Sequence, residues 1–428
     1  MRFEPTKYML QNVATGTIFK ETEWLLEDTT SSQPSLIRAI YEKKQLQLKG
    51  EDYGLYTFSD WLPVGRLLKG SSAPITYKSE KLATYLDCKN LYITFSGYWR
   101  EKNALMTTCS FKETEAYSVC ARMKDDMKKV LVVASAGNTA RAFAKVCSEN
   151  HIPLLLCVPE DCLDALWFEH PVNDCVKLIA TQSGSDYFDA IHLSNIAVKS
   201  PKFIAEGGAK NIARRDGMGT TVLSAATYIG QIPDYYFQSV GSGTGAIAAW
   251  EAKQRLIEDG RFGNKQMRLM VSQNIPFTPM YDAWKANSRQ LLPFDDNEAR
   301  QQAHIIDAKV LSNRRPPYAI AGGLYDALKA SDGDILLADN QQLRAAMKLF
   351  YDLEGNDIHP AAGVALASLI NALKMKKIDK NTIIMLNITG GGEERFKSGK
   401  KMFGLKPDIV FPNNPDENEV LKKIESLF

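Results

Sequence analysis

Cysteine is scarce and poorly placed for a structural role. The 428-residue chain carries seven, an odd number, with no Cys-x-x-Cys pair. That argues against a disulfide framework and a zinc ribbon, and for reduced thiols in a cytoplasm. Five histidines are scattered, none at ligand spacing from another, so no metal site is expected. Charge of one sign is also missing. A formal net charge of +2 is too close to balance for a nucleic-acid or membrane surface. No run of about 18 apolar residues exists, which excludes a spanning helix. The opening MRFEPTKYML has no apolar signal core. Internal repeats and low-complexity tracts are absent as well.

What is present is an ordinary composition, long enough for two or more domains with substantial cores. Residues 1 to about 90 are mixed, with short alternating pieces such as YGLYTF. The middle is regular. VLVVAS (130–135), a helical TARAFAKVCSEN and IPLLLCV (152–158) read as strand, helix, strand: a βαβ unit with a buried parallel sheet. VKLIAT (176–181), a helix around 186–199 and KFIAE (202–206) continue it. A second series runs through YYFQSV (235–240), AIAAWEAKQRLIEDG and RLMVSQ (268–273). It ends with DILLAD, QLRAAMKLFYDLEG, AAGVALASLINALKMK and TIIMLNIT. Two three-layer α/β domains follow, with ligands expected at the carboxyl ends of the strands. The expected boundaries are 1–90 for an N-terminal segment packing on the larger domain, 91–225 for the smaller domain and 226–428 for the larger.

Three strand ends carry unusual turns. SAGNTA (Ser135 to Ala140) is either an ordinary turn or a polar loop whose groups Ser135, Ala136, Gly137, Asn138 and Thr139 hold a ligand. GSGTGA (Gly241 to Ala246) opens a helix, so Gly241, Ser242, Gly243, Thr244 and Gly245 form a cup suited to a phosphate. A dinucleotide there would need an acid at the end of the next strand; Gln273 and Asn274 stand in that place. NITGGGEER sets the Thr389 hydroxyl before three glycines, either a flexible loop or a chain bare beside something.

Lys112 supplies a fourth feature. Ser110 and Glu113 have capping-box spacing, and Ala116, Val119, Cys120, Met123 and Met127 recur on one helical face. That puts Lys112 in a first turn, against the positive end of the helix dipole. It is either a solvated lysine or an amine pushed toward neutrality, as a Schiff-base nucleophile requires. A lysine so placed, a phosphate cup, and Asn and Thr groups to meet a ring are together the needs of pyridoxal 5′-phosphate.

SFK around Lys112, SAGNTA, GSGTGA and ITGGG, in that order across roughly residues 80 to 400, resemble the fold-type II pyridoxal-phosphate enzymes, and among them the threonine synthases. The resemblance implies a tryptophan-synthase-β-like α/β fold with the cofactor between two domains. It implies that Lys112 carries the cofactor, that Asn138 meets the ring's 3′-oxygen, that Gly241 to Gly245 cradle the phosphate, and that Thr389 meets the ring nitrogen. Lys112, once freed, would be the general base at Cα. An assembly of identical subunits is expected.

Departures from the threonine synthases lie beside the reacting carbons. Residues 1–60 hold no cysteine, where those enzymes often have a cysteine-rich stretch. NALMTTCSFKETE stands where NPTGSFKDR is usual, so Cys109 replaces a glycine and Glu113 and Thr114 replace Asp-Arg. TGGG replaces a TGHG-like turn, and FSGYWREKN (95–103) is also unlike the family. The resemblance narrows to the cysteate-forming relatives in methanogens. They imply O-phospho-L-serine and sulfite as substrates and L-cysteate and phosphate as products, serving coenzyme M synthesis. Threonine synthesis from O-phosphohomoserine is the alternative, and an NAD-dependent oxidoreductase the alternative of another class. Anionic substrates need cations beyond the cup; Arg100, Lys102, Arg314 and Arg315 are the candidates, each otherwise a solvated surface charge. Cys109 reads as a small residue filling a tight turn.

Overall fold

The computed structural model describes residues 3–124 and 126–428. Its frame is two separate sheets. The smaller has five parallel strands in the order Phe203–Ala205, Val130–Ala134, Leu154–Pro159, Val176–Thr181, Ile409–Phe411. The larger has six, in the order Asp334–Ala338, Arg268–Asn274, Tyr235–Ser239, Ile384–Ile388, Leu91–Phe95, Ile75–Lys78; only the last pairs antiparallel. Their central strands are buried on both faces, which is why they read as unbroken apolar runs. A three-stranded antiparallel sheet, Ile18–Phe19, Tyr8–Asn12, Ile37–Tyr41, stands apart from both.

Strand membership does not follow the 91–225 and 226–428 boundaries. Leu91–Phe95 joins the larger sheet beside Ile384–Ile388, and Ile409–Phe411 returns to the smaller one beside Val176–Thr181. Ile75–Lys78, within the N-terminal segment, closes an edge of the larger sheet. Periodicity identifies a strand but carries no information about its partner. YGLYTF forms no strand; it lies in a 3₁₀-helical run, Glu51–Trp61, broken at Gly54 and Phe58.

Three helices gather the chemistry. Lys112–Arg122 carries Lys112, Ile212–Ile229 carries Arg214, and Thr244–Asp259 grows out of the glycine cup. The middle helix packs on both others. It is buried almost all round, so it shows no polar stripe, and its sequence IARRDGMGTTVLSAATYI has no helical period to read. Gly217 sets its approach to the Lys112 helix: a β-carbon there would overlap the Thr114 carbonyl oxygen and lie 2.9 Å from Ser118 Cβ.

Gly217→Ala therefore tests this junction. In an open helix the change would stabilise by about 1 kcal/mol. Here overpacking against the Thr114 backbone outweighs that, and we expect a net loss of about 2 kcal/mol in urea unfolding. A stability gain would disprove the close approach.

Candidate active site

The amine-bearing turn is tied to the larger sheet by backbone. Beyond Ile388, residues Thr389–Gly391 run antiparallel to Cys109–Phe111. The Phe111 N–H donates to Thr389 O at 2.9 Å, and the Gly391 N–H donates to Cys109 O at 3.0 Å. The glycine triplet is not a free loop but a chain bare beside protein, packed against Cys109, Asp357 and Tyr98. Gly392 has φ +75°, and a β-carbon there would overlap the Tyr98 carbonyl oxygen. Cys109 itself has φ +54°, the left-handed conformation that favours glycine. Its thiol is buried with Trp167 and Phe396, and burial pushes its pKa well up. It fills a tight turn, as its sequence position implied.

The capping box does not form. Phe111 is the N-cap and makes no side-chain cap. Ser110 Oγ accepts from the Lys112 N–H at 3.2 Å. The Glu113 carboxylate reaches one turn further back, to the Thr108 N–H at 3.0 Å and hydroxyl at 2.8 Å, and lies 3.4 Å from Lys145 Nζ.

Lys112 projects into a charged cluster that sequence reasoning missed. Its Nζ lies 3.3 Å from Glu115 Oε2, with 20% of the side chain exposed. Glu115 is fully buried and also accepts from Arg214 at 2.8 and 3.1 Å and from the Thr139 hydroxyl at 3.0 Å. Arg214 turns its other nitrogen to Glu206 at 2.7 Å. Burial pushes the Lys112 pKa down, against the pull of Glu115 and with the help of Arg214. Burial alone would raise the Glu115 carboxyl, but Arg214 and Lys112 hold it below its ordinary value. Glu206 goes the other way, raised by burial despite Arg214. The i,i+3 spacing of Lys112 and Glu115 was the one local signal for this cluster. Arg214 arrives from about a hundred residues away and left none.

The two polar turns meet this cluster through different groups. In SAGNTA, Ser135 Oγ accepts from the Gly137 N–H at 3.1 Å, and Thr139 is the link to Glu115. Ala136 is half-buried in the same turn. Asn138 opens the Asn138–Asn150 helix, and its Oδ1 accepts from Arg141 Nη2 at 2.7 Å. In GSGTGA, Gly243 is the N-cap, and Ser242 Oγ and Thr244 Oγ1 lie 2.8 Å apart. The first N–H groups of a helix have no intrahelical acceptor, which suits an anion. A β-carbon at Gly241 would lie 2.7 Å from Val310 O, and one at Gly137 3.9 Å from Val310 Cγ1, so Lys309–Leu311 lies against both turns. Thr389 is nearly buried at the end of its strand. Two further strand ends hold buried hydroxyls, Ser96 and Ser239, with no partner among the described residues.

The residues present fit pyridoxal 5′-phosphate. There is an amine whose pKa is lowered by burial, a glycine turn at a helix N-terminus for a phosphate, an amide at Asn138 and a hydroxyl at Thr389. A dinucleotide fits less well. Gln273 is occupied, its Oε1 accepting from the Met280 and Tyr281 N–H groups at 3.0 and 2.8 Å.

The four expected cations lie outside the Lys112 cluster. Arg314 is 10% exposed and bonds Asp186 at 2.6 Å and Asp296 at 2.7 Å. Arg315 is 59% exposed, 3.7 Å from Asp296 and over the Phe294 ring. Lys102 Nζ lies 4.0 Å from the Tyr77 ring centroid and 4.9 Å from that of Trp99. Arg100 is exposed in the adjoining Arg100–Lys102 turn. Lys102, Arg314 and Arg315 are held by acids or rings of their own neighbourhood, Arg100 is exposed, and none of the four joins the Lys112 cluster. The cation that does is Arg214.

Behind the Gly390–Gly392 turn, Glu393 forms a second charged group. Its Oε2 lies 3.1 Å from His359 Nε2 and 3.9 Å from Arg141 Nη2, and its Oε1 lies 2.6 Å from Lys397 Nζ. Burial works against the ionised form, but His359, Lys397 and Arg141 win and hold the carboxyl at about 2.

A family model described as pyridoxal-phosphate dependent enzyme matches residues 96–390. A cysteate synthase of Methanosarcina acetivorans is 46% identical over 389 residues, covering 91% of this chain and 93% of that protein. Another, from Methanocella paludicola, is 44% identical over 387 residues, 90% of each chain. Among solved structures, serine racemase from Dictyostelium discoideum superposes with a TM-score of 0.54 at 17% identity, over 74% of this chain and 92% of that one. A fungal L-serine ammonia-lyase from Rhizomucor miehei gives 0.57 at 14% identity, over 77% and 98%. At such identities the two structures show the fold alone.

Two outcomes follow from the charge arrangement. Glu115→Gln removes the carboxylate that opposes desolvation of Lys112, so the Lys112 amine should react with an acylating reagent at lower pH than in the wild type, read by mass spectrometry. The same change leaves Arg214 short of a partner and should cost about 3 kcal/mol. Glu393 binds its proton near 4.5 when unfolded and near 2 when folded. Its contribution is therefore present above pH 4.5 and lost as pH falls toward 2. Glu393→Gln should be less stable at neutral pH and show a shallower acid loss in that window.

Proposed function

The chain belongs to the pyridoxal-phosphate-dependent enzyme family and is a relative of the cysteate synthases within it; from that premise we propose that it replaces the phosphate of O-phospho-L-serine with sulfite, giving L-cysteate and phosphate. The observation that carries the reading is the buried pairing of the Lys112 amine with Arg214 through one carboxylate, Glu115. It puts a transferable proton site and a cation for anionic substrates into one enclosure.

When bound, pyridoxal 5′-phosphate supplies an electron sink for the charge left at the substrate Cα. The Gly241–Gly245 turn and the first N–H groups of the Thr244–Asp259 helix would hold its phosphate, Asn138 and Thr389 would meet its ring, and Lys112 would hold it covalently. Thr389 offers a hydroxyl where a carboxylate would force a proton onto the ring nitrogen, a choice that favours replacement over transamination.

Lys112, once freed by the incoming substrate amine, takes the proton from Cα and later returns it. Its lowered pKa leaves more of the amine neutral and able to accept that proton. Glu115 holds the amine in place from 3.3 Å. Arg214 keeps Glu115 ionised and offers a guanidinium to the leaving phosphate and the incoming sulfite. Glu206 is the acid of the cluster raised by burial, and a bound anion would push it further toward its neutral form, which frees Arg214 for that anion. Thr139, Ser135, Ala136 and Gly137 line the entry to the cluster from the other sheet. Burial of the whole group strengthens each of these interactions.

No helix among the described residues is long and apolar enough to cross a membrane. An assembly of identical subunits and a cytoplasmic setting complete the reading.

Borohydride reduction of the loaded enzyme should leave a pyridoxyl adduct on Lys112, and Lys112→Ala should lose both the adduct and the visible absorption. Phosphoserine with sulfite should release phosphate and form a sulfonate. Threonine released from phosphohomoserine would make the chain a threonine synthase instead. An Arg214→Lys variant should raise KM for phosphoserine by about tenfold, since one ammonium cannot replace a two-pronged guanidinium.

A further inference from the structure

Arg141 is a buried charge with an unusual set of partners. It is 2% exposed. Its Nε and Nη2 donate to Thr108 O at 3.3 and 3.0 Å, and Nη1 donates to Ala165 O at 2.8 Å. Nη2 also donates to Asn138 Oδ1 at 2.7 Å. The guanidinium lies 4.1 Å from the Trp167 ring centroid. The Glu393 carboxylate is 3.9 Å away, a long ion pair beyond hydrogen-bond reach. A buried cation whose hydrogen bonds all go to neutral oxygens, with only a 3.9 Å ion pair to Glu393 against its burial, is costly to keep. Burial indeed pulls its pKa below the ordinary arginine value. Packing or helix propensity would be served as well by a neutral side chain of similar volume.

The cluster does one thing a neutral side chain would not. A carboxamide has two near-isosteric ends, one accepting and one donating, and only its partners decide which way it lies. Arg141 is a pure donor, so it accepts only the oxygen end of Asn138. The Asn138 Nδ2 has no acceptor among the described residues and is left free to donate. We infer that Arg141 is a positioning residue that fixes the Asn138 carboxamide with its NH₂ directed to the cofactor's ring oxygen. Arg141 is anchored in turn on Thr108, one residue before the Cys109–Phe111 ladder, and on Ala165 and Trp167. The amide orientation is thus set by the same turn that places Lys112. This inference rests on the pyridoxal-phosphate reading of the site.

The test is a double-mutant cycle on cofactor binding, with Arg141→Lys, Asn138→Ala and both together. The readouts are the dissociation constant of pyridoxal 5′-phosphate and the pH midpoint of the visible band. Each single change should weaken binding by about tenfold, the worth of one charge-assisted hydrogen bond. The double variant should lose little more than either alone. Additive losses in the double variant would overturn the inference. Asn138→Asp reads the same geometry without touching Arg141. An oxygen already facing Arg141 becomes its counter-ion, so thermal stability should hold or rise while cofactor binding falls about tenfold for want of the NH₂ donor. A fall in thermal stability in Asn138→Asp would also overturn the inference. The Lys112 adduct in the wild type separates the two levels: its absence removes the cofactor reading and this inference with it, whereas its presence with additive losses removes the inference alone.

Discussion

Two backbone hydrogen bonds hold the site together. They join Cys109–Phe111 to Thr389–Gly391, and so fasten the start of the Lys112 helix to the end of a central strand of the larger sheet. Backbone pairing of this kind leaves little freedom for slippage, because register is fixed at both bonds. It also explains the local composition. The strand end must pass close to Tyr98, which a side chain at Gly392 would block. Opposite it, Cys109 takes a left-handed conformation and fills the space beneath with sulfur.

From that anchor the charges are arranged by burial. Lys112, Glu115, Arg214 and Glu206 form a chain in which each acid touches at least one base. Desolvation acts on all four, lowering Lys112 and raising Glu206, while the tight Arg214–Glu115 contact keeps Glu115 ionised. An amine at the first turn of a helix would feel repulsion from the dipole of a few tenths of a kcal/mol. Burial is the larger effect on the amine here, the first of the causes that lower its pKa. The cluster is also a shared boundary: Thr139 reaches it from a helix on the smaller sheet and Arg214 from the helix between.

Much of the architecture was legible along the chain. Buried parallel strands are nearly continuous apolar runs, so Val130–Ala134, Val176–Thr181, Tyr235–Ser239 and Ile384–Ile388 stood out. Helices with one wet face, such as Asn340–Glu354, did too. The helix Ile212–Ile229 was not legible, because burial on nearly every side erases the polar stripe. Neither was the pairing of Leu91–Phe95 with the far end of the chain. Among candidate site residues, Lys112, Asn138, the Gly241–Gly245 turn and Thr389 could be singled out because turn chemistry and helix starts leave local signals. Arg100, Lys102, Arg314 and Arg315 were singled out only for their charge; Arg100 is exposed, and the other three lie against aspartates and aromatic rings nearby.

By itself, then, the order of residues determined which segments are strands and which turns interrupt them, and it singled out one lysine, one amide, one hydroxyl and one glycine turn as candidates for a shared chemistry. Those are properties of neighbours along the chain, set by dihedral preference and apolar spacing. Tertiary structure alone decided the surroundings: Glu115 held by Arg214 beside the amine, Asn138 bonded to Arg141, and a glycine triplet packed against Cys109 and Tyr98. Contacts between groups a hundred residues apart depend on how helices and sheets stack, and no local pattern encodes that distance.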